Sequence, residues 1–273
     1  MKTHTVTGGG GLKLQVQETG SENGKPILFI HGFSQCRLAW NKQLNSDLAN
    51  DFRLVAMDIR GHGLSEKPRD AYGDSKLWAD DVNAVITALD LDKPVLSGWS
   101  YGGAIISDYV NAYGEDSIAG SNWVSAISRL GEPLLQANFL GADFLAVVPG
   151  LFSEDLDVSI PALQEFLRMC VHEQPPPEDL YFFLGYNTIV PPHVRLALFS
   201  RTLDNDSVVE NMRKPMLLSY GEQDVIVLPA MGRHLAGLAR HAKLSTYPNV
   251  AHAPFWEAPE RFNHELREFR ESV

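Results

Sequence analysis

Continuous apolar runs that stop at glycine or aspartate constrain this chain more than any other feature. PILFIHG at 26–32, the start of FRLVAMDIRGHG from 52, and KPVLSGW from 93 have no wet face, so they read as strands covered on both sides. KLQVQETG, just before them, alternates as a strand with one exposed face does. NWVSAI at 122–127, KPMLLSYGEQD at 214–224 and KLSTYPNV at 243–250 are further strand candidates. Between them Leu77, Val82, Val85, Ile86 and Leu89 recur at helical spacing and predict an amphipathic helix over 75–90 with Ser75 as its N-cap. Strands interleaved with helices imply the α/β class: a mostly parallel sheet of about eight strands with helices on both faces. Ligands of such sheets sit beyond the carboxyl ends of the strands.

Residues 129–213 break this rhythm. They hold EQPPPEDLYFFLGY and TIVPPHVRLALFSR, rich in proline and aromatics, with helix-like segments and no buried parallel strand. A structureless loop of that length is unusual in a domain. An inserted helical cap over the sheet's carboxyl end is expected instead, with residues 1–128 and 214–273 forming the core.

A chain of 273 residues with 44% hydrophobic content can bury a sizeable core. Its net charge of -11 repels nucleic acid and anionic membrane surfaces, which excludes both as main partners. Two cysteines, Cys36 and Cys170, are too few for a disulfide framework and have no metal-ligand spacing, so a reducing, cytoplasmic setting is expected. The opening MKTHTVTGGGG lacks the apolar stretch of a secretory leader, and no run is long enough to span a membrane.

The third apolar run ends in VLSGWSYGG, which places Ser100 between Gly98 and Gly102 in the pattern G-x-S-x-G. That pattern suits a serine forced onto a tight corner between a strand and a helix. A serine hydroxyl is a weak nucleophile until a base takes its proton, and the base needs a carboxylate to orient it. Asp224 and His252 each follow a predicted strand, so both fall at the carboxyl end of the sheet with Ser100. Each has a plainer reading: a turn serine, a turn aspartate, a core histidine beside Pro254 and Phe255. Glu132, a few residues past NWVSAI, is the alternative acid.

FIHGF at 29–33, DIRGHGLSEKP at 58–68, GWSYGG at 98–103, GEQDVIV at 221–227 and NVAHAPFWEAPERFN at 249–263, taken in this order, resemble the α/β-hydrolase superfamily over nearly the whole chain. Within it the similarity is to the compact serine esterases and the cofactor-free haloperoxidase-like branch. The resemblance implies the α/β-hydrolase fold and a Ser100, Asp224, His252 triad. It also implies an oxyanion hole from the backbone N–H groups of Phe33 and Tyr101, and no cofactor or metal. Under it Gly32 lets the turn form, His31 holds that turn by hydrogen bonds, and His62 in RGHGLS shapes a loop. The remaining histidines, His4, His172, His193, His234, His241 and His264, default to the surface.

The activity implied is hydrolysis of a carboxylic ester, or of a lactone or related acyl bond, in a small hydrophobic substrate. Acyl-homoserine-lactone hydrolase, thioesterase, perhydrolase and C–C hydrolase share this machinery and stay open. So does a non-catalytic protein of the same fold that binds a small ligand. Epoxide hydrolases and haloalkane dehalogenases need a carboxylate where Ser100 stands, and Phe33-Ser34 departs from the Trp-Pro pair of the perhydrolases. Phe33 and Tyr101 are expected to line the pocket, and Trp99, Phe255, Trp256, Phe152 and Phe183 are candidate substrate contacts. Nothing in the sequence fixes an oligomeric state.

Overall fold

The computed structural model describes residues 1–273. Its strands are β1 (Lys2–Thr7), β2 (Lys13–Gly20), β3 (Lys25–Ile30), β4 (Phe52–Met57), β5 (Val95–Trp99), β6 (Gly120–Val124), β7 (Arg129–Leu130), β8 (Leu203–Asp204), β9 (Met216–Gly221) and β10 (Lys243–Tyr247). Eight of them form one sheet in the order β1-β2-β4-β3-β5-β6-β9-β10. β1 pairs antiparallel with β2, and β2 with β4. From β4 across to β10 every pairing is parallel.

Each continuous apolar run is a central strand: β3, β5 and β6 are buried from Pro26, Val95 and Gly120 to their ends. β1 escapes the sequence reading because KTHTVT buries only Val6, as suits a polar edge strand. β6 starts two residues before the expected NWVSAI and stops at Val124, since Ser125 turns to φ 42°. The first long helix runs Ser75–Ala88, and its N-cap is Asp74, which accepts from Lys76 N at 2.8 Å. Ser75 is the first helical residue instead, and its hydroxyl accepts from Arg201 Nη2 at 3.0 Å.

The chain between β6 and β9, here called the cap, holds the helices Glu132–Gln136, Ala142–Leu151, Leu156–Met169, Pro177–Thr188, Pro192–Phe199 and Asp206–Asn211, and its two-residue strands β7 and β8 pair antiparallel. Buried charge joins cap to core. Arg201 donates to Asp108 at 2.7 Å and to the Tyr101 hydroxyl at 3.0 Å, and Asp108 lies on the helix Tyr101–Tyr113 that follows Ser100. Removing one member of such a pair strands the other charge away from water, which costs about 3–5 kcal/mol. Asp108→Asn is therefore expected to lower unfolding free energy by roughly 3 kcal/mol in urea titration; a loss within the scatter of surface substitutions would mean that the cap does not lean on this contact.

No helix is long and apolar enough to cross a membrane.

Candidate active site

Ser100 sits where β5 turns into the helix Tyr101–Tyr113, at φ 55° and ψ -114°. Left-handed φ in a non-glycine residue costs on the order of 1–3 kcal/mol, so its surroundings must hold it. Ser100 N donates to Val124 O at 2.9 Å, and Ser100 O accepts from Gly103 N and Ile127 N at 3.0 and 3.2 Å. The flanking glycines serve close approach. A Cβ on Gly102 would lie 2.6 Å from Ile30 O, and one on Gly98 would lie 2.8 Å from Gly102 O. Only hydrogen at both positions lets the helix return against β3 and β5.

Asp224 follows β9 and His252 follows β10, so parallel pairing brings both to the edge of the sheet where β5 ends. His252 Nδ1 lies 2.8 Å from Asp224 Oδ2, and both residues are buried. The other oxygen, Oδ1, accepts from Ile226 N and Val227 N, each at 2.9 Å. With a carboxylate facing it, Nδ1 carries the proton and Nε2 keeps its lone pair. Trp99 fixes the same histidine from below, its Nε1 donating to His252 O at 2.8 Å. Glu132, the alternative acid, is exposed, and its carboxylate accepts from Gln136.

On the opposite side runs His31-Gly32-Phe33-Ser34. His31 Nε2 accepts from Ile59 N at 3.1 Å, which leaves Nδ1 to donate to Gly32 O at 2.9 Å. His62 is held the same way: Nε2 accepts from Ser34 N at 3.2 Å, and Nδ1 donates to Arg60 O at 3.0 Å. Both rings are fully buried, and burial keeps them neutral, pushing His31 down to about 4 and His62 well below the ordinary imidazole range. Gly32 is needed for proximity, not for an unusual φ: a Cβ there would lie 3.0 Å from Ser100 Cβ and 3.6 Å from its Oγ. The Ser100 side chain thus lies close beside Gly32. Phe33 N–H has no acceptor within the protein. Tyr101 N–H opens a helix, whose first-turn donors have no partner inside it.

The depressed histidines have a consequence for stability. The unfolded chain takes up these protons near pH 6.5, whereas folded His31 does so only at about 4. Their contribution is complete above about pH 6.5 and is lost as pH falls from there towards 4. Urea midpoints should drop between pH 7 and pH 5, before most carboxylates titrate; a flat profile over that window would contradict the neutral assignment.

A narrow cavity opens between the strand ends and the cap. Ser100, His252, Phe33, Tyr101 and Trp99 line it from the core, and Leu130, Leu134, Phe144, Phe166 and Phe199 from the cap side. Fourteen of its nineteen lining residues are hydrophobic, and its polar side chains are Ser100, His252 and Gln35. An apolar chamber with so few polar groups suits a small apolar ligand with one reacting polar group.

The sequence pattern of the alpha/beta hydrolase fold family matches residues 25–259. The chain belongs to that family. An esterase from a Rhodococcus species has the same architecture, with a TM-score of 0.93 and 35% identity over 100% of both chains. A bifunctional esterase/perhydrolase of Acinetobacter calcoaceticus is 28% identical over 97% of this chain and 98% of its own. A non-heme chloroperoxidase of Streptomyces lividans is 28% identical over 98% of this chain and 99% of its own. These relatives place the hydrolase in the esterase and haloperoxidase-like branch.

Several expected substrate contacts lie elsewhere in this hydrolase. Phe255, Trp256 and Phe183 line a second, smaller apolar cavity, which shares only Gln35 and Trp99 with the first. Phe255 turns away because its ring packs under Trp40 at 4.2 Å and against Trp99 at 4.9 Å. Phe152 packs at a tilt against Phe199, ring centroids 5.6 Å apart, and lines neither cavity. The residues missed were leucines: Leu130, Leu134 and Leu135 stand in RLGEPLL, where nothing local separates a pocket wall from core. Three histidines expected at the surface are half-buried, with His4 on Glu18, His193 on Pro68 O and His234 on Asp206. Cys36 and Cys170 are buried, which pushes the Cys36 thiol up to about 12 and Cys170 well above the ordinary thiol range, so neither is a ready nucleophile.

Proposed function

We propose that this hydrolase cleaves carboxylic esters, lactones included, of small apolar substrates through an acyl-enzyme on Ser100. The observation that carries this reading is a strained serine elbow lining the same apolar cavity as a histidine already hydrogen-bonded to a buried aspartate. The catalytic core is read as residues 1–128 and 214–273, with 129–213 as the cap.

Ser100 Oγ attacks the ester carbonyl carbon as its proton passes to His252 Nε2. Asp224 keeps Nδ1 protonated and stabilises the imidazolium that forms. The carbonyl oxygen gains charge beside the Phe33 and Tyr101 N–H groups, each such donor being worth roughly 3 kcal/mol in the transition state. Collapse breaks the C–O bond, and the leaving alkoxide takes the proton from Nε2. Water then attacks the acyl-enzyme by the same route, releasing the carboxylic acid and returning the proton to Ser100. The scheme calls on no metal or cofactor.

A p-nitrophenyl ester series from acetate to decanoate tests the reading, together with labelling by a serine-reactive alkyl phosphonate. Turnover should peak at short to medium acyl chains that fit the chamber, and mass spectrometry should find the phosphonate on Ser100. Absence of both turnover and labelling would leave a ligand-binding protein of the same fold.

A further inference from the structure

The corner that presents Phe33 is held from above by the cap. Ser34, the next residue, has φ 61°, a left-handed conformation that a serine adopts only when its neighbours impose it. His62 fixes its backbone N–H from the core. Its hydroxyl is fixed by Arg195, on the cap helix Pro192–Phe199, whose Nε donates to Ser34 Oγ at 2.9 Å. The same guanidinium reaches two more cap elements, donating to Leu151 O at 3.2 Å and to Asn187 O at 2.6 Å. Arg195 is 2% exposed, and no carboxylate pairs with it. A buried cation without a counter-ion is costly, and burial lowers its pKa to about 10. A fork that joins the ends of two cap helices to one strained serine accounts for keeping an arginine there, because lysine cannot serve three separate acceptors in one plane.

We propose that Arg195 is a positioning residue for the oxyanion hole: it locks the Phe33–Ser34 corner in the conformation that aims the Phe33 N–H at the reacting oxygen, so the hole is complete only while the cap is docked. This rests on the reading of Phe33 as an oxyanion donor. Arg195 touches neither Ser100 nor the cavity wall, so its effect passes through Ser34. The donor's alignment matters only as charge develops on the substrate oxygen, so loosening it should spare ground-state binding.

The test compares wild type, Arg195→Met, Ser34→Ala and the double variant. Each is assayed for kcat and KM on p-nitrophenyl butyrate, and for affinity towards an alkyl trifluoromethyl ketone and its plain methyl ketone counterpart. The fluorinated ketone adds to the serine and places an oxyanion in the hole; the plain ketone reports the apolar chamber. Displacing one donor is expected to lower kcat by about 10²-fold in Arg195→Met, with KM changed less than about threefold. Trifluoromethyl ketone affinity should fall in parallel and plain ketone affinity should hold. Ser34→Ala removes one hydroxyl and leaves the cap's own contacts in place. It should show the same pattern, and the double variant should be no worse than the weaker single, as for two groups acting through one contact. Losses that multiply in the double variant, or equal loss of both ketones, would overturn the proposal and leave Arg195 as cap scaffolding. A wild type that binds both ketones equally would instead sink the serine and oxyanion reading, and the role of Arg195 with it.

Discussion

Ser100→Ala is expected to lower ester turnover by about 10⁴-fold or more while leaving the fold and the urea midpoint close to wild type. The size follows from the unit nature of the constellation. Without Oγ no acyl-enzyme forms, and the oxyanion donors and the chamber retain only their modest help to direct attack by water. The fold should tolerate the change, since the elbow is held by the backbone bonds to Val124, Gly103 and Ile127, none of which uses the hydroxyl. Alanine also relieves nothing at φ 55°, because its Cβ meets the same backbone as that of serine. Activity within tenfold of wild type, in a preparation cleared of host esterases, would remove Ser100 from the mechanism.

Loss of the imidazole or of its orienter should be nearly as damaging, and pH separates the two. His252→Gln is expected to cost about 10⁴-fold and to erase the rise of activity with pH that comes from freeing Nε2 of its proton. Asp224→Asn should cost a similar factor for a different reason. An amide facing Nδ1 favours the tautomer whose proton sits on Nε2, where it blocks attack. Substrate affinity should survive, because Asp224 is buried behind His252 and does not line the chamber. Its loops should hold too, since the amide oxygen can still accept from Ile226 and Val227 N–H. A pH profile of wild-type shape in His252→Gln would mean that another group is the base. A silent Asp224→Asn would say the same of the acid.

How much of this was legible beforehand varies with the range of the forces involved. The central strands were readable because burial on both faces forbids polar residues, and that prohibition is written in consecutive positions. β1 was not, because an edge strand may be polar throughout. The helix N-cap falls one residue earlier than expected: Asp74 and Ser75 are both capable, and the Ser75 hydroxyl is engaged by Arg201, which is distant in sequence.

The sequence by itself determined the fold class and where the candidate reacting groups fall. Alternating covered strands and helices leave few arrangements besides a parallel sheet, and the glycines around Ser100 permit the one corner that close backbone contact demands. It also brought Asp224 and His252 to one edge, since parallel strands place whatever follows them there. Only the tertiary structure decided which side chains face the cavity. Phe255 and Trp256 are as near His252 in sequence as residues can be, yet they pack into a neighbouring cavity, while leucines from RLGEPLL wall the chamber. An apolar side chain lowers its free energy by leaving water, whatever surface it meets, so hydrophobic sequence fixes burial but not partner. The partner is set by packing between segments as far apart as Ser34 and Arg195, and no local pattern encodes that distance.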